Sequence, residues 1–310
     1  MSKQITIRNQ HYVPRFYLKY FTNNKKELER FDCKNRQILS PKGPKGVCSE
    51  DFYYGVQTGT HDKTSQQVER YFRALENYIS SKIKPIIAKI MNSSEIQPID
   101  KWNIAFLMSM IWIRGPGMRE QINRMAGDAI KHIAKSIFST KPKLLDEIDK
   151  KVGWKDSDGK IREQCRSSIL NGYLDVFVDN SQHMRMFRSI DNFANLFYGQ
   201  DWIVYISEAD RTFITTDNPV AMVVPETKGF YGPSFLQRTH YFALTPKICI
   251  VACEPHSSGG EEIHRKTLLN KDCWQIVDLN FLLGGYANQY AYSCDRKNFE
   301  DILSKIKTIK

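Results

Sequence analysis

The sequence predicts an α+β fold: a helical middle packed with a mixed sheet of C-terminal strands, to which the N-terminal segment can add. Three observations predict it. Apolar residues recur at helical spacing from about Ser65 to Gly199. After Gly199 they alternate in short runs rich in β-branched and aromatic residues. The strand runs follow the helices as a block rather than alternating with them, which is the α+β order.

The elements follow in order. Residues 1–58 are mixed and short-jointed. Pro14 suits the first position of a helix over PRFYLKYF. ELERFDC and RQILS read as strands about a Lys34–Asn35 turn, and PKGPKG as a loop. From about Ser65 a helix carries Val68, Tyr71, Phe72, Leu75, Tyr78 and Ile79 on one stripe, with a kink at Pro85. Asp100 is placed to cap the next helix, which is apolar on every side and therefore central. That helix stops at Arg114-Gly115-Pro116, and another runs from about Met118 to Phe138. Two more are expected near 161–178 and 182–198. Strands are expected in DWIVYISE, RTFITT, AMVVP, THYFALTP and KICIVACEP, then a helix from about Gly260 to Gly284, a strand in AYSC and a last helix in KNFEDILSKIKTI. Pairing of the first segment with the late sheet would make residues 1–310 one domain, of which 65–199 are the helical region and 200–310 the α/β region.

Forty-five Lys and Arg against 34 Asp and Glu leave a net charge of +11. That excess favours a polyanionic partner, nucleic acid or nucleotide, although many basic proteins bind neither. The cysteines are seven and irregularly spaced, and MSKQITIRNQ has no apolar core, so free thiols, no signal peptide and a cytoplasmic location are expected. IAFLMSMIWI, Ile104 to Ile113, is too short for a bilayer, so no membrane partner is expected. No phosphate-binding glycine loop, H-E-x-x-H or G-x-S-x-G is found, which disfavours common NTP and serine hydrolysis.

Four residues invite a chemical reading. His11 stands next to Tyr12, on a short arm stiffened by Pro14; an imidazole held there suits proton transfer, or equally a structural hydrogen bond. Arg15 can clamp a phosphate, or form an ordinary surface ion pair. Asp217 lies in TTDNP, where a strand must turn; with Thr216 and Asn218 it makes either a site at a strand end, where it would orient a histidine or bind a divalent metal, or an Asx-type turn. Arg114 ends the buried helix and needs a partner. If Glu69 and Glu76 neutralise it, it is a strut; if they only orient it, an anionic substrate is missing. Cys249, Cys253 and His256, with His264 and Cys273 beyond, have a spacing that permits zinc, but not the paired knuckles usual for it, and buried thiols are the expected reading.

HYVPRFYLKYF (11–21), VCSEDFYY (47–54), the helix holding Glu69 and Glu76, IRGPGMR (113–119), FITTDNPV (213–220) and ALTP (243–246) together resemble one bacterial family, the domain of unknown function 4238. The stretch from Asn280 to Ser293 fits more loosely. The resemblance implies a cytoplasmic bacterial protein associated with defence against bacteriophage, and carries no established catalytic residues. With the charge and the polar boxes, it points to a defence effector that cleaves RNA or DNA phosphodiesters. His11 would be acid or base, Asp217 its orienter or a metal ligand, and Arg15 and Arg114 anion stabilisers; Tyr12, Glu76, Thr216 and Asn218 would bind. The alternative is a non-enzymatic sensor of a phage protein or nucleotide signal.

Overall fold

The computed structural model describes residues 6–57, 63–141, 143–152, 159–173, 176, 178–224, 234–256 and 262–309. The chain opens with β1 (Asn9–His11) and the short helix α1 (Arg15–Leu18), with Pro14 just before it and a 3₁₀ turn after it. The hairpin β2 (Leu28–Asp32) and β3 (Gln37–Lys42) follows, as its β-propensity foretells. A 3₁₀ turn at Pro44–Gly46 leads to β4 (Ser49–Asp51), which returns antiparallel beside β1 and sets Gln10 opposite Glu50.

The helical middle begins with α2 (Lys63–Met91), which runs on through Pro85. Its buried face is Ser65, Phe72, Ile79, Ile83, Ile86 and Ile90. Tyr71 and Tyr78, expected on the buried stripe, are instead exposed: each precedes a buried residue and is turned about 100° from it. Next comes α3 (Pro98–Arg114), buried along most of its length as its all-round apolar pattern requires. Asp100 lies one turn inside it rather than at the cap, where it accepts the Gln97 amide at 3.0 Å and pairs with Lys89 at 2.8 Å. Gly115 ends α3, and Pro116 starts α4 (Pro116–Thr140). Four helices follow: α5 (Leu144–Val152), unforeseen in the sequence, α6 (Lys160–Leu170), α7 (Ser181–Met186) and α8 (Ile190–Tyr198).

The last third supplies β5 (Asp201–Ser207), β6 (Thr215–Thr216), β7 (Val220–Val223), β8 (Thr239–Thr245), β9 (Ile248–Cys253), β10 (Ile263–Leu268), α9 (Cys273–Gly285), β11 (Tyr290–Ser293) and α10 (Lys297–Ile309). The helix expected from about Gly260 is in part β10: Ile263–Leu268 pair parallel with Trp202–Ser207, and the helix begins only at Cys273. Five strands form one sheet in the order β10-β5-β9-β8-β7, and four form another in the order β3-β2-β11-β6. The second sheet pairs the opening hairpin with the end of the chain, Phe31 opposite Ala291. The architecture is α+β, a helical middle packed against mixed sheets. No described helix is long and apolar enough to cross a membrane.

Candidate functional site

The end of α3 organises the site. A helix leaves its last carbonyls unsatisfied, and here side chains from elsewhere take them. His183 Nε2 donates to the Ile113 carbonyl at 2.7 Å, and the Tyr53 hydroxyl to the Arg114 carbonyl at 2.8 Å. The Arg114 guanidinium is sealed from solvent against the faces of Phe72 and Tyr54, 4.3 and 5.7 Å from the ring centroids. Its Nε donates to the Tyr54 hydroxyl at 2.8 Å and Nη1 to Glu76 Oε1 at 2.6 Å; Nη2 donates to the His11 carbonyl. The same carbonyl accepts the Tyr54 hydroxyl at 2.9 Å. Arg114 therefore ties α2, α3 and β1 together, and Glu76 neutralises it. This is the strut arrangement of the two weighed from sequence.

Beside the strut, β1 and α1 cross one face of α2. Gln66 Nε2 donates to the Ile7 carbonyl at 2.9 Å, and the Gln10 amide bonds Ser65 and Tyr54. The strand thereby stands off the helix, and between them lies a cavity of about 740 Å³. Its walls carry Gln66, Glu69, Arg70, Arg73, Glu76 and Asn77 from α2, at the spacing of a single helix face. Opposite them stand Asn9, His11, Arg15, Lys19 and Lys45. Arg15, Lys19, Lys45, Arg70 and Arg73 enter no ion pair among the described residues, against two carboxylates, one of which Arg114 holds. A cavity of equal volume between α9 and α10 is lined by both charge signs, with Asp210, Asp278 and Asp301 beside Arg211 and Lys305, and has no histidine.

Two cavity residues have displaced protonation. Burial pulls His11 down to about 4; Arg15 and Arg114 add to this, against a bond to the backbone of Pro44. The imidazole Nε2 faces the Pro44 carbonyl at 3.3 Å, so the neutral ring donates from Nε2 and keeps Nδ1 unprotonated. Burial pushes Glu69 up to about 6, with Arg114 and Arg73 opposing and Glu76 assisting. Its Oε2 is enclosed without a hydrogen bond among the described residues. A neutral imidazole and a protonatable carboxyl thus share one cationic cavity.

The TTDNP segment does not join it. Asp217 is buried, and its carboxylate accepts the backbone amides of Asn288 and Gln289 at 2.8 Å and Tyr290 at 2.9 Å. Burial raises its pKa to about 6, against those three bonds. Thr216 Oγ1 accepts the Asn218 amide at 3.0 Å, and Asn218 Nδ2 donates to the Tyr286 carbonyl at 3.1 Å. Asn218 also lies over the α3–α4 turn, where a Cβ on Gly117 would come 3.4 Å from its Nδ2. The box is a clasp that joins the β6 end, the α9–β11 connection and the start of α4. Tyr12 does not line the cavity and packs on Tyr53, with ring centroids 5.1 Å apart and planes tilted by 40°. His11 and Asp217, expected to meet, spend their hydrogen bonds on different partners: the imidazole bonds Pro44, and three amides take the aspartate. Of the named residues, His11, Arg15 and Glu76 line the cavity, Arg114 stands behind it, and Tyr12, Thr216, Asp217 and Asn218 lie elsewhere.

Lys19, Lys45, Arg70 and Arg73 were not singled out from sequence, and Glu69 only as a partner of Arg114. The signal for Glu69, Arg70 and Arg73 was the polar face of α2, opposite its apolar stripe. A polar helix face is ordinarily just solvated, and only the crossing of β1 makes this one a cavity wall. The zinc spacing gathers no site: the Cys253 thiol donates to the Asp201 carbonyl, His256 bonds the Asp201 carboxylate, and no cluster of metal-binding side chains occurs among the described residues.

A family model described as "Protein of unknown function (DUF4238)" matches residues 9–297. No curated protein and no solved structure matches the chain.

Proposed function

The chain belongs to the DUF4238 family of proteins of unknown function, and on that premise we propose that it is a nuclease of bacterial defence against bacteriophage, which cuts phosphodiester bonds in the cavity between β1 and α2. One observation carries this reading: five cations without ion-pair partners among the described residues surround a neutral imidazole and a carboxyl of raised pKa. Arg15, Lys19, Lys45, Arg70 and Arg73 hold the phosphates and offset the charge that grows on the phosphorane oxygens. His11 and Glu69 move the protons. Arg114 touches no substrate; through the His11 carbonyl and Glu76 it fixes the wall on which the imidazole stands.

The net charge of +11 supports a polyanionic substrate. Purified protein incubated with total RNA, tRNA and DNA, with and without divalent metal, is expected to degrade at least one of them. Replacing Arg70 and Arg73 by alanine is expected to remove the activity at unchanged thermal stability. Intact nucleic acid in every tube would overturn the reading.

A second reading has its own observation. The His11 ring holds the Pro44 carbonyl, next to the cavity cation Lys45. An anion that drew in Lys45 would pull on the 44–46 turn, which suits a sensor of a nucleotide signal. That sensor would show a thermal shift with the nucleotide and no turnover.

A further inference from the structure

We propose, resting on the nuclease reading, that the substrate is RNA and that the chain cleaves it by transesterification: the ribose 2′-hydroxyl attacks, His11 is the base and Glu69 the acid. The geometry supplies two of the three parts that phosphodiester cleavage needs. Proton transfer is covered by His11 and Glu69, and charge by the cations. The nucleophile has to come from water or from the substrate itself. No serine, threonine, tyrosine or cysteine lines the cavity among the described residues, and the second carboxylate, Glu76, is held by Arg114. RNA brings its own nucleophile, on the carbon next to the one that bears the scissile phosphate, which gives an internal attack the advantage of proximity.

The step balances without a co-reactant. His11 takes the 2′-hydroxyl proton as the O2′–P bond forms. The P–O5′ bond breaks with its electron pair on O5′, and Glu69 gives that oxygen its proton. The products are a 2′,3′-cyclic phosphate and a 5′-hydroxyl, with an imidazolium and a carboxylate that exchange protons with solvent to reset. The tautomer fits: Nε2–H turned to the Pro44 carbonyl leaves Nδ1 to accept. Arg15, Arg70 and Arg73 stand along the walls for the phosphate on which charge accumulates.

The test uses the full chain, a chelator and three matched oligonucleotides: RNA, DNA, and RNA methylated at every 2′-oxygen. RNA alone is expected to be cut, with 2′,3′-cyclic phosphate and 5′-hydroxyl ends. Cleavage of DNA or of methylated RNA, or 5′-phosphate ends on RNA, would overturn the inference and leave the nuclease reading standing. Three intact oligonucleotides, with RNA and DNA still whole when divalent metal replaces the chelator, would overturn both. The roles separate with a ribonucleoside 3′-(para-nitrophenyl phosphate), whose leaving group needs no proton. E69Q is expected to lose about 10²–10⁴-fold in kcat on RNA and to recover on this ester, whereas H11N recovers on neither. Equal loss of both variants on both substrates, at intact circular dichroism, would overturn the assignment of Glu69 as acid.

Discussion

The Arg114 strut and the cavity beside it use the same residue types to opposite ends. At the strut, one guanidinium is spent on Tyr54, Glu76 and the His11 carbonyl and is sealed from solvent. In the cavity, Arg15, Arg70 and Arg73 make no ion pair among the described residues. The Asp217 clasp belongs with the strut, since three amides occupy its carboxylate. A charge that is buried and bonded within the fold is architecture. A charge left unpaired on a concave wall is available for chemistry. Both patterns occur within one turn of helix, at Arg73 and Glu76, so sequence proximity does not separate them.

The largest effect expected to distinguish the two regions is on stability. Arg114→Ala leaves Glu76 without its buried partner and should cost about 3–5 kcal/mol in urea unfolding, whereas Arg73→Ala, on the exposed rim, should stay within about 0.5 kcal/mol. Equal costs would erase the distinction between strut and cavity. Asp217→Asn should come next. An amide can accept through one oxygen only, so at least one backbone N–H is left unbonded, at about 1–3 kcal/mol. If Asp217→Asn instead abolished RNA cleavage at unchanged stability, the aspartate would belong to the site after all.

Acid separates the regions differently. Burial holds His183 down to about 4, with Arg119 assisting and the bond to the Ile113 carbonyl opposing, and the rings of Tyr53 and Phe187 pack on it. Its folded pKa is depressed below the ordinary 6.5. The stability this contributes is present above pH about 6.5 and is lost as pH falls toward about 4, up to about 3 kcal/mol. His183→Gln should flatten that limb of the stability profile. Cleavage should respond in the opposite sense. With His11 near 4 and Glu69 near 6, the reactive pair of neutral imidazole and protonated carboxyl is most populated between these values, and the rate should decline as pH rises above about 6. An activity that climbed with pH through 7 would exclude this pair as the groups that move the protons.

The fold was legible where local pattern decides it. The stop at Arg114-Gly115-Pro116, the all-round apolar α3 and the β2–β3 hairpin all carry their reason within a few residues. The segment Ile263–Leu268 was not legible: IHRKTL has the polar composition of a surface helix, and only its lateral bonds to β5 make it an edge strand. The site was half legible. His11, Arg15 and Glu76 stood out by their setting, but Asp217 drew the same attention for a reason that turned out to be a backbone clasp. Lys19 and Lys45 carried no signal, because each is an ordinary surface lysine until β1 and the 44–46 turn close around α2.

The smallest expected effect bears on whether the cavity, or merely the basic surface, holds the nucleic acid. Each phosphate contact to a single strand contributes about −0.7 to the slope of log K against log salt. Lys45→Gln removes one cavity cation and should lower the magnitude of that slope by about 0.7 for RNA binding. Arg8→Gln is the matched control. It also removes one positive charge from the total of +11, but Arg8 is exposed, bonds Asp51 at 2.8 Å and does not line the cavity. Its slope should stay at the wild-type value. If both variants shifted the slope alike, the phosphates would be responding to the charge of the whole protein, and the cavity would lose its claim to be where the chain is held.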